Sequence, residues 1–390
     1  MTAEPRQIKC AIYRGGTSRG VLFKEESLPA SPAVRARILT EIFGSPHPRQ
    51  IDGLGGGTSV TSKAMIVGPS QKPDADIQML FGQVSITSAM VDWGGICGNL
   101  TTAVGPFAID QGLVPAVEPF TNIRVYSINS RKIINVRVPV HRGRVDTEGS
   151  YEIAGVPGKG ARISMEYLEP AGSYNGKLLP TGKPRETIEL EDGRSFTVSM
   201  VDAGNVVVFC IPKELGLRGD ELPVELEARP DILATLEGIR SAAAERLGIV
   251  ESRSDATAKS PGFPKIGFVS AVRDYQTNAG RHIRADEIDI LGRLMTMQSP
   301  HHSYMGGGAI ATGAAAMIDG TVVQEVCHLR LSGSETLRIG HPSGIMEVSV
   351  KAERQNGEAH IRSVTIYRTA RRIMEGVAFV SESSFAEAAQ

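Results

Sequence analysis

Cys97 stands in "WGGICGNL" (93–100), flanked by glycines, with an asparagine two residues on and a small-residue helix expected to follow. A thiol at a helix start has its thiolate stabilised by the dipole and by free N–H groups, so it suits acid/base or nucleophilic work. The competing reading is an inert core cysteine. Cys10, Cys210 and Cys327 fit that reading better, because they lie in or beside apolar runs. Lys63 opens "SKAMIVG" directly after a glycine loop. A lysine entering an apolar strand either snorkels at its edge or, when buried, loses basicity and can accept a proton. Two such groups in one cleft could remove a proton from a carbon and return it elsewhere.

Four glycine clusters accompany them: "RGGTSRG" (14–20), "DGLGGGTSVTSK" (52–63), "WGGICGN" (93–99) and "MGGG" (305–308). The second fails as a phosphate loop, since Ser62 rather than glycine precedes Lys63, and it fails GxGxxG because Thr58 takes the last glycine place. Gly-rich turns and helix starts expose successive N–H groups that suit carboxylates as well as phosphates. Hydroxyls of Thr17, Ser18, Thr58 and Ser59 add donors, with Gly15 and Gly57 at the turns. Four clusters, two of them opening small-residue helices, favour a ligand site over plain tight turns.

These residues must be positioned by a chain of 390 residues, long enough for two domains. A formal net charge of -1 and a single Trp give no field or stacking surface for nucleic acid. No apolar stretch is long enough to span a membrane, and "MTAEPRQIK" lacks a signal-peptide layout. Four scattered cysteines without CxxC point to a reducing cytoplasm, and the absence of HExxH or paired cysteines leaves metal catalysis without support. Short β-rich runs dominate: "IKCAIYRGG", "SKAMIVG", "DIQMLFGQVSI", "NIRVYSIN", "KIINVRVPV", "SFTVSMVDAGNVVVFC", "KIGFVSAV", "EVSVKAER" and "IRSVTIYRTARRIMEG". Helices are expected over 33–47 and 229–248, each stopped by glycine.

Two further segments break the β pattern: 97–114 and 305–322. At an offset of 208 they share Gly98/Gly306, Ala103/Ala311, Gly105/Gly313, Ala108/Ala316, Gly112/Gly320 and Val114/Val322. Ala, Gly and Thr let a helix pass close to other backbone, as a buried central helix must. The expectation is two related α/β halves, 1–180 and 181–390, each a curved sheet around one helix, linked through the Pro/Gly-rich 169–184. A second crossing of the chain near the C-terminus is allowed for. His301 and His302 adjoin the last glycine cluster, so a Cys-His hydrolase is a rival reading.

"RGGTSRG", "GGGTSVTSKAMIV" and "CGNLTTAVGPFAI" together resemble the PrpF family, 2-methylaconitate cis-trans isomerases and their relatives, within the diaminopimelate epimerase-like fold. The resemblance covers most of the chain and is strongest over roughly 8–115. It implies two similar domains, each a barrel-like sheet around a central helix, with the active site between them. Epimerases of the superfamily pair two cysteines, one at each central helix. This chain keeps only Cys97, with no thiol in Met305–Thr312. The PrpF lysine–cysteine pair maps onto Lys63 and Cys97, and Arg19 stands where relatives often carry lysine.

The chemistry implied is cofactor-free proton transfer on an unsaturated di- or tricarboxylate, needing two groups of matched pKa and donors for the developing enolate-like charge. Candidate donors are the N–H groups of Gly98, Asn99, Gly306, Gly307 and Gly308, beside Met305. Candidate ion-pair partners are Arg14, Arg19 and Lys265. 2-Methylaconitate, 4-oxalomesaconate, aconitate and 3-methylitaconate are the substrates to consider. A homodimer is the assembly the resemblance suggests. A non-catalytic carboxylate-binding protein would keep the glycines but need neither Lys63 nor Cys97.

Overall fold

A computed structural model describes residues 4–327, 334–355 and 358–386; Met1–Ala3, part of the stretch read for a signal peptide, lie outside them. The chain divides into two compact units, one of Met1–Glu152, Gly158–Ser164 and Arg368–Gln390, the other of Ile153–Pro157 and Met165–Tyr367. The chain therefore passes from one unit to the other within 152–165, ahead of the 169–184 segment, and returns at 367–368.

In the first unit the strand β1 (Arg6–Gly15) pairs antiparallel with β2 (Ser18–Lys24) and, on its other side, with the C-terminal strand Ala370–Val380. Helix α1 (Pro32–Phe43) follows. Pro32 suits its first position, Ser31 accepts from the Val34 N–H at its start, and Gly44 ends it at φ 71°. The chain then returns parallel to β2 as β3 (Lys63–Pro69), which pairs antiparallel with β4 (Ile77–Val84). After helices α2 (Gly98–Thr101) and α3 (Val104–Asp110), β5 (Phe120–Ser127) runs parallel to β4 and antiparallel to β6 (Lys132–His141).

This sheet curves around α3. Tyr13 of β1 meets Phe107 edge-on at 5.9 Å and donates to Asp110, while a Cβ on Gly105 would lie 2.5 Å from Val138 and 3.0 Å from Val136 of β6. One short helix thus touches both the β1 and the β6 side of the sheet. Helix α1 covers the outer face, packing Ile38, Leu39 and Phe43 against Val21, Phe23, Ala64 and Ile66.

The second unit repeats the plan. The run "SFTVSMVDAGNVVVFC", expected as strand, is a hairpin of β7 (Ser195–Asp202) and β8 (Val206–Cys210), turning at Ala203–Asn205 with Gly204 at φ 72°. Helix α4 (Pro230–Leu247) leads to β9 (Lys265–Ser270), parallel to β8 and antiparallel to β10 (Ile290–Thr296). Helix α5 (Gly306–Ala316) precedes β11 (Ser334–His341), which is parallel to β10, then β12 (Gly344–Gln355) and β13 (Glu358–Arg368). A Cβ on Gly313 would lie 2.9 Å from Val350 and 3.1 Å from Val348, as Gly105 does against Val138 and Val136. The glycines matched at an offset of 208 therefore do the same job, letting a helix lie on valines of a hairpin.

Two expectations are corrected. Segment 97–114 is not one helix, because the turn at Thr102–Ala103 tightens to i→i−3 bonds, Thr102 N–H to Asn99 O and Ala103 N–H to Leu100 O. Pro106 has no N–H to offer the Thr102 carbonyl, so regular winding stops there and resumes in α3. The helix of 305–322 likewise ends at Ala316, and a separate turn of helix, Val322–Val326, starts under a Thr321 cap. No helix among the described residues is long and apolar enough to cross a membrane.

Candidate active site

The hairpin turn between β1 and β2 lies directly on the start of α2. Gly16 sits at φ 52°, and a Cβ there would overlap the Asn99 side chain; a Cβ on Gly15 would lie 2.6 Å from the Asn99 carbonyl oxygen. Only glycine tolerates both the angle and the approach. Across this contact Asn99 Nδ2 donates to Thr17 Oγ1 at 3.0 Å, and Arg368 Nε donates to Asn99 Oδ1 at 2.9 Å. Arg14 braces the turn from behind, donating to Gly16 O at 3.1 Å, to Thr369 O at 2.8 Å and to Thr369 Oγ1 at 2.9 Å. Burial, helped by the neighbouring Arg371, holds the Arg14 pKa below its ordinary value.

Cys97 caps α2 with its side chain: the Leu100 N–H donates to Sγ at 3.4 Å, and Sγ stands 3.8 Å from Ser18 Oγ. Gly98 and Asn99 form the first helical turn, where N–H groups lack intrahelical acceptors. Cys97 is half-buried, whereas Cys10, Cys210 and Cys327 are buried. Burial pushes the Cys10 thiol up to about 11 and raises Cys210 as well, so both are packing groups at neutral pH.

Lys63 is the first residue of β3 and is only 6% exposed. Its Nζ donates to Gln83 Oε1 at 2.5 Å and lies 5.3 Å from the Phe81 ring centroid. Burial lowers the Lys63 pKa, and attraction to Cys97 partly opposes the fall. The titratable group bearing on this amine is therefore Cys97 at the helix start, and its hydrogen-bond partner is a neutral amide rather than a carboxylate.

The glycine loop between α1 and β3 closes over the same corner. Gly57, at φ 66°, donates its N–H to Gln50 Oε1 at 2.9 Å, and Thr58 Oγ1 shares a proton with Thr61 Oγ1 at 2.7 Å. The Ser59 carbonyl accepts from Gln83 Nε2 at 3.0 Å. The Arg19 N–H donates to Val60 O at 2.9 Å, and its guanidinium lies against Gly56. That guanidinium makes no hydrogen bond or ion pair among the described residues, so its fork is open to a ligand carboxylate. The first unit thus gathers Arg14, Gly15, Thr17, Ser18, Arg19, Gly57, Thr58, Ser59, Lys63, Cys97, Gly98 and Asn99 into one cluster.

In the second unit Met305 is the N-cap of α5, and Gly306, Gly307 and Gly308 form its buried first turn. Lys265 opens β9 and lines a small cavity with Glu237, Arg240 and Gln298. The rival histidines have local partners: His301 Nδ1 accepts from the Ser303 N–H at 3.0 Å, and exposed His302 pairs with Glu227 at 3.4 Å. Sequence reasoning missed Gln50, Gln83 and Arg368. Each is a buried polar side chain that no motif marks, Gln83 and Arg368 in strands and Gln50 in the loop after α1.

A curved sheet around a buried small-residue helix, built once in each unit, defines an epimerase-like fold class. A hydroxyproline epimerase from Agrobacterium vitis shares the fold, with a TM-score of 0.53 at 10% identity over 97% of this chain and 94% of that one. The chain belongs to the PrpF family: the family described as PrpF protein matches residues 6–381. The 3-methylitaconate isomerase of Eubacterium barkeri is 41% identical over 98% of this chain and 99% of its own length. The 2-methyl-aconitate isomerase of Shewanella oneidensis is 38% identical over 95% and 97%, and the 4-oxalomesaconate tautomerase of Pseudomonas putida 34% over 97% and 98%. A crystal structure of methylitaconate-delta-isomerase superposes with a TM-score of 0.77 at 40% identity, covering 100% of this chain and 99% of that one.

Proposed function

We propose that this protein is an isomerase that moves a proton on an unsaturated di- or tricarboxylate, with 2-methylaconitate cis-trans isomerisation as the leading reaction. The observation that carries the reading is the buried Lys63, its pKa lowered by burial and partly restored by Cys97. In this reading the two groups exchange the proton with the substrate, one as base and the other as acid. In the proposed route one of them removes a proton from the carbon allylic to the double bond, and the electron pair spreads into the conjugated carboxylate. The proton then returns to the same carbon after bond rotation, or to the far end of the allylic frame. The first outcome is a cis-trans change and the second a double-bond shift, with no atom gained or lost and no cofactor in the route.

The remaining candidates bind and stabilise. Arg19, with Thr17, Ser18, Thr58 and Ser59, holds a substrate carboxylate, and the N–H groups of Gly98 and Asn99 face the developing charge. Gly306–Gly308, Met305 and Lys265, all in the second unit, stay candidate binding groups on the family resemblance alone. Four free cysteines suit a cytoplasmic setting. The alternatives are a 4-oxalomesaconate tautomerase and a methylitaconate or aconitate delta-isomerase, the first two being names carried by relatives.

The assembly proposed is a homodimer through the C-terminal strand. Ala370–Val380 pairs with β1, yet its residues Arg371–Val377 are all exposed. Ile373, Met374, Val377 and Phe379 are 46%, 37%, 40% and 61% exposed. Such a strand is a template for another strand. A second copy, antiparallel about a twofold at Ile373, would set Arg371 opposite the partner's Glu375 and cover the apolar side chains.

The test is proton NMR in D2O with 2-methylaconitate isomers, cis- and trans-aconitate, 3-methylitaconate and 4-oxalomesaconate. One substrate should take up deuterium as its double bond moves. The rate should fall by about 10²–10⁴-fold in Lys63→Ala and in Cys97→Ser. Exchange that persists in both variants would place the chemistry on other residues, and a covalent acyl-Cys97 would turn the reading to a hydrolase.

A further inference from the structure

Lys63 can work as a base only if it is held in place without being held charged. In the antiparallel register of β3 and β4, Lys63 stands opposite Gln83. Gln83 is itself buried, at 5% exposure. Its Nε2 donates to two carbonyls, Ser59 O at 3.0 Å and Ser62 O at 2.8 Å. Those two acceptors fix which end of the amide is which. A flipped amide would aim its oxygen at two carbonyl oxygens and lose both bonds. The oxygen that remains, Oε1, is therefore presented to Lys63 Nζ at 2.5 Å.

We propose that Gln83 is the positioning residue of the proton transfer: a neutral acceptor, locked by the loop carbonyls, that orients the Lys63 amine without fixing a charge on it. An ammonium and a free amine can each give one N–H to an amide oxygen, so this bond survives both states. When the amine is free, one N–H occupied by Oε1 confines the lone pair to the two remaining staggered positions. A carboxylate in the same place would favour the ammonium and hold the proton. The same amide ties Lys63 to the glycine loop through Ser59, so seating of the loop and aim of the base are one arrangement. The inference rests on Lys63 being a proton-transfer group, as argued above.

The other titratable groups on elements against β3 are engaged elsewhere or stand apart. In α3, Asp110 accepts from Tyr13 and pairs with Arg372. In α1, Glu41 accepts from Ser381 and Ser384, Arg35 donates to Pro29 O and Arg37 to Ala386 O. Lys24 of β2 pairs with Glu26, Arg19 lies against Gly56, and Glu25 accepts from Gln78. That leaves Cys97 as the titratable neighbour bearing on Lys63, beside the uncharged Gln83 and Phe81.

The experiment compares Gln83→Glu and Gln83→Met with the parent protein by two readouts. The first is the charge state of Lys63, from NMR of ¹³C-labelled lysine ε-carbons across pH, with Lys63→Ala to assign the signal. The second is the pH profile of kcat/KM for the substrate found in the D2O panel. In Gln83→Glu the Lys63 titration and the acid limb of the profile should both move up by about one unit or more, a tenfold or greater loss of rate on that limb. In Gln83→Met the Lys63 titration should stay low, while kcat falls more than KM changes because the amine is no longer aimed. A folded Gln83→Glu whose Lys63 titration and profile match the parent would overturn the inference. So would a Gln83→Met of undiminished kcat, which also decides the matter if the glutamate variant does not fold. If Lys63→Ala is itself fully active, the reading of Lys63 as the base falls instead, whatever Gln83 does.

Discussion

Lys63 and Cys97, the proposed proton-transfer pair, differ in how the chain places them. The cysteine owes its place to local sequence: glycines before and after it, and a helix start whose Leu100 N–H reaches back to the sulfur. The lysine owes its state to burial, which no local pattern records. This difference has a measurable consequence for stability. Because the Lys63 pKa is lowered in the folded chain, the folded state binds fewer protons than the unfolded one between that lowered value and 10.5. Its contribution to folding is therefore unfavourable below the lowered value and fades as pH rises through that window. Lys63→Met should unfold at higher denaturant concentration than the parent at neutral pH, and the gap should close towards pH 10.5. Parallel denaturation midpoints at every pH would show that Lys63 is not desolvated.

At the level of elements, the decisive contacts are between backbones. Gly15 and Gly16 let the β1–β2 turn rest on Asn99, and Gly105 lets α3 lie on β6. Gly105→Ala would drive a methyl into Val136 and Val138, at a cost of about 1–3 kcal/mol from overpacking. Chemical denaturation of the variant checks this, and a loss near zero would mean that the helix can shift outward. The strands, the outer helices and the small-residue central helices were legible from alternation, capping residues and composition. The break in the first central helix was not, because Pro106 sits early enough in α3 to be tolerated there, and its effect falls on Thr102 four residues back. The hairpin at Ala203–Asn205 was missed because "DAGN" alone marks the turn between two strand-forming runs.

For the whole molecule, the two units share one order of pairing: hairpin, outer helix, parallel return, antiparallel neighbour, inner helix, parallel strand and a last hairpin. Chain crossing at 152–165 and 367–368 gives the first unit its C-terminal strand, whose exposed side chains carry the dimer proposal. Light scattering at micromolar concentration should report twice the chain mass. Ile373→Lys with Phe379→Lys should halve it without loss of fold, since both side chains are exposed. A parent protein of single-chain mass would remove the proposed interface.

Sequence by itself determined the family and the repeated central helix and put forward Lys63 and Cys97 as candidates, because these depend on residue type and on spacing along one stretch of chain. It also put forward Arg19 and the hydroxyls of the glycine loops as candidate ligand groups. Tertiary structure alone decided that Arg14 braces the turn, that Asn99 is oriented by Arg368 from 269 residues away, and that Gln83 faces Lys63. Those relations are set by strand register and by crossovers between distant segments. A shift of one residue in the β3–β4 pairing would leave the composition unchanged and put Gln83 on the opposite face from Lys63.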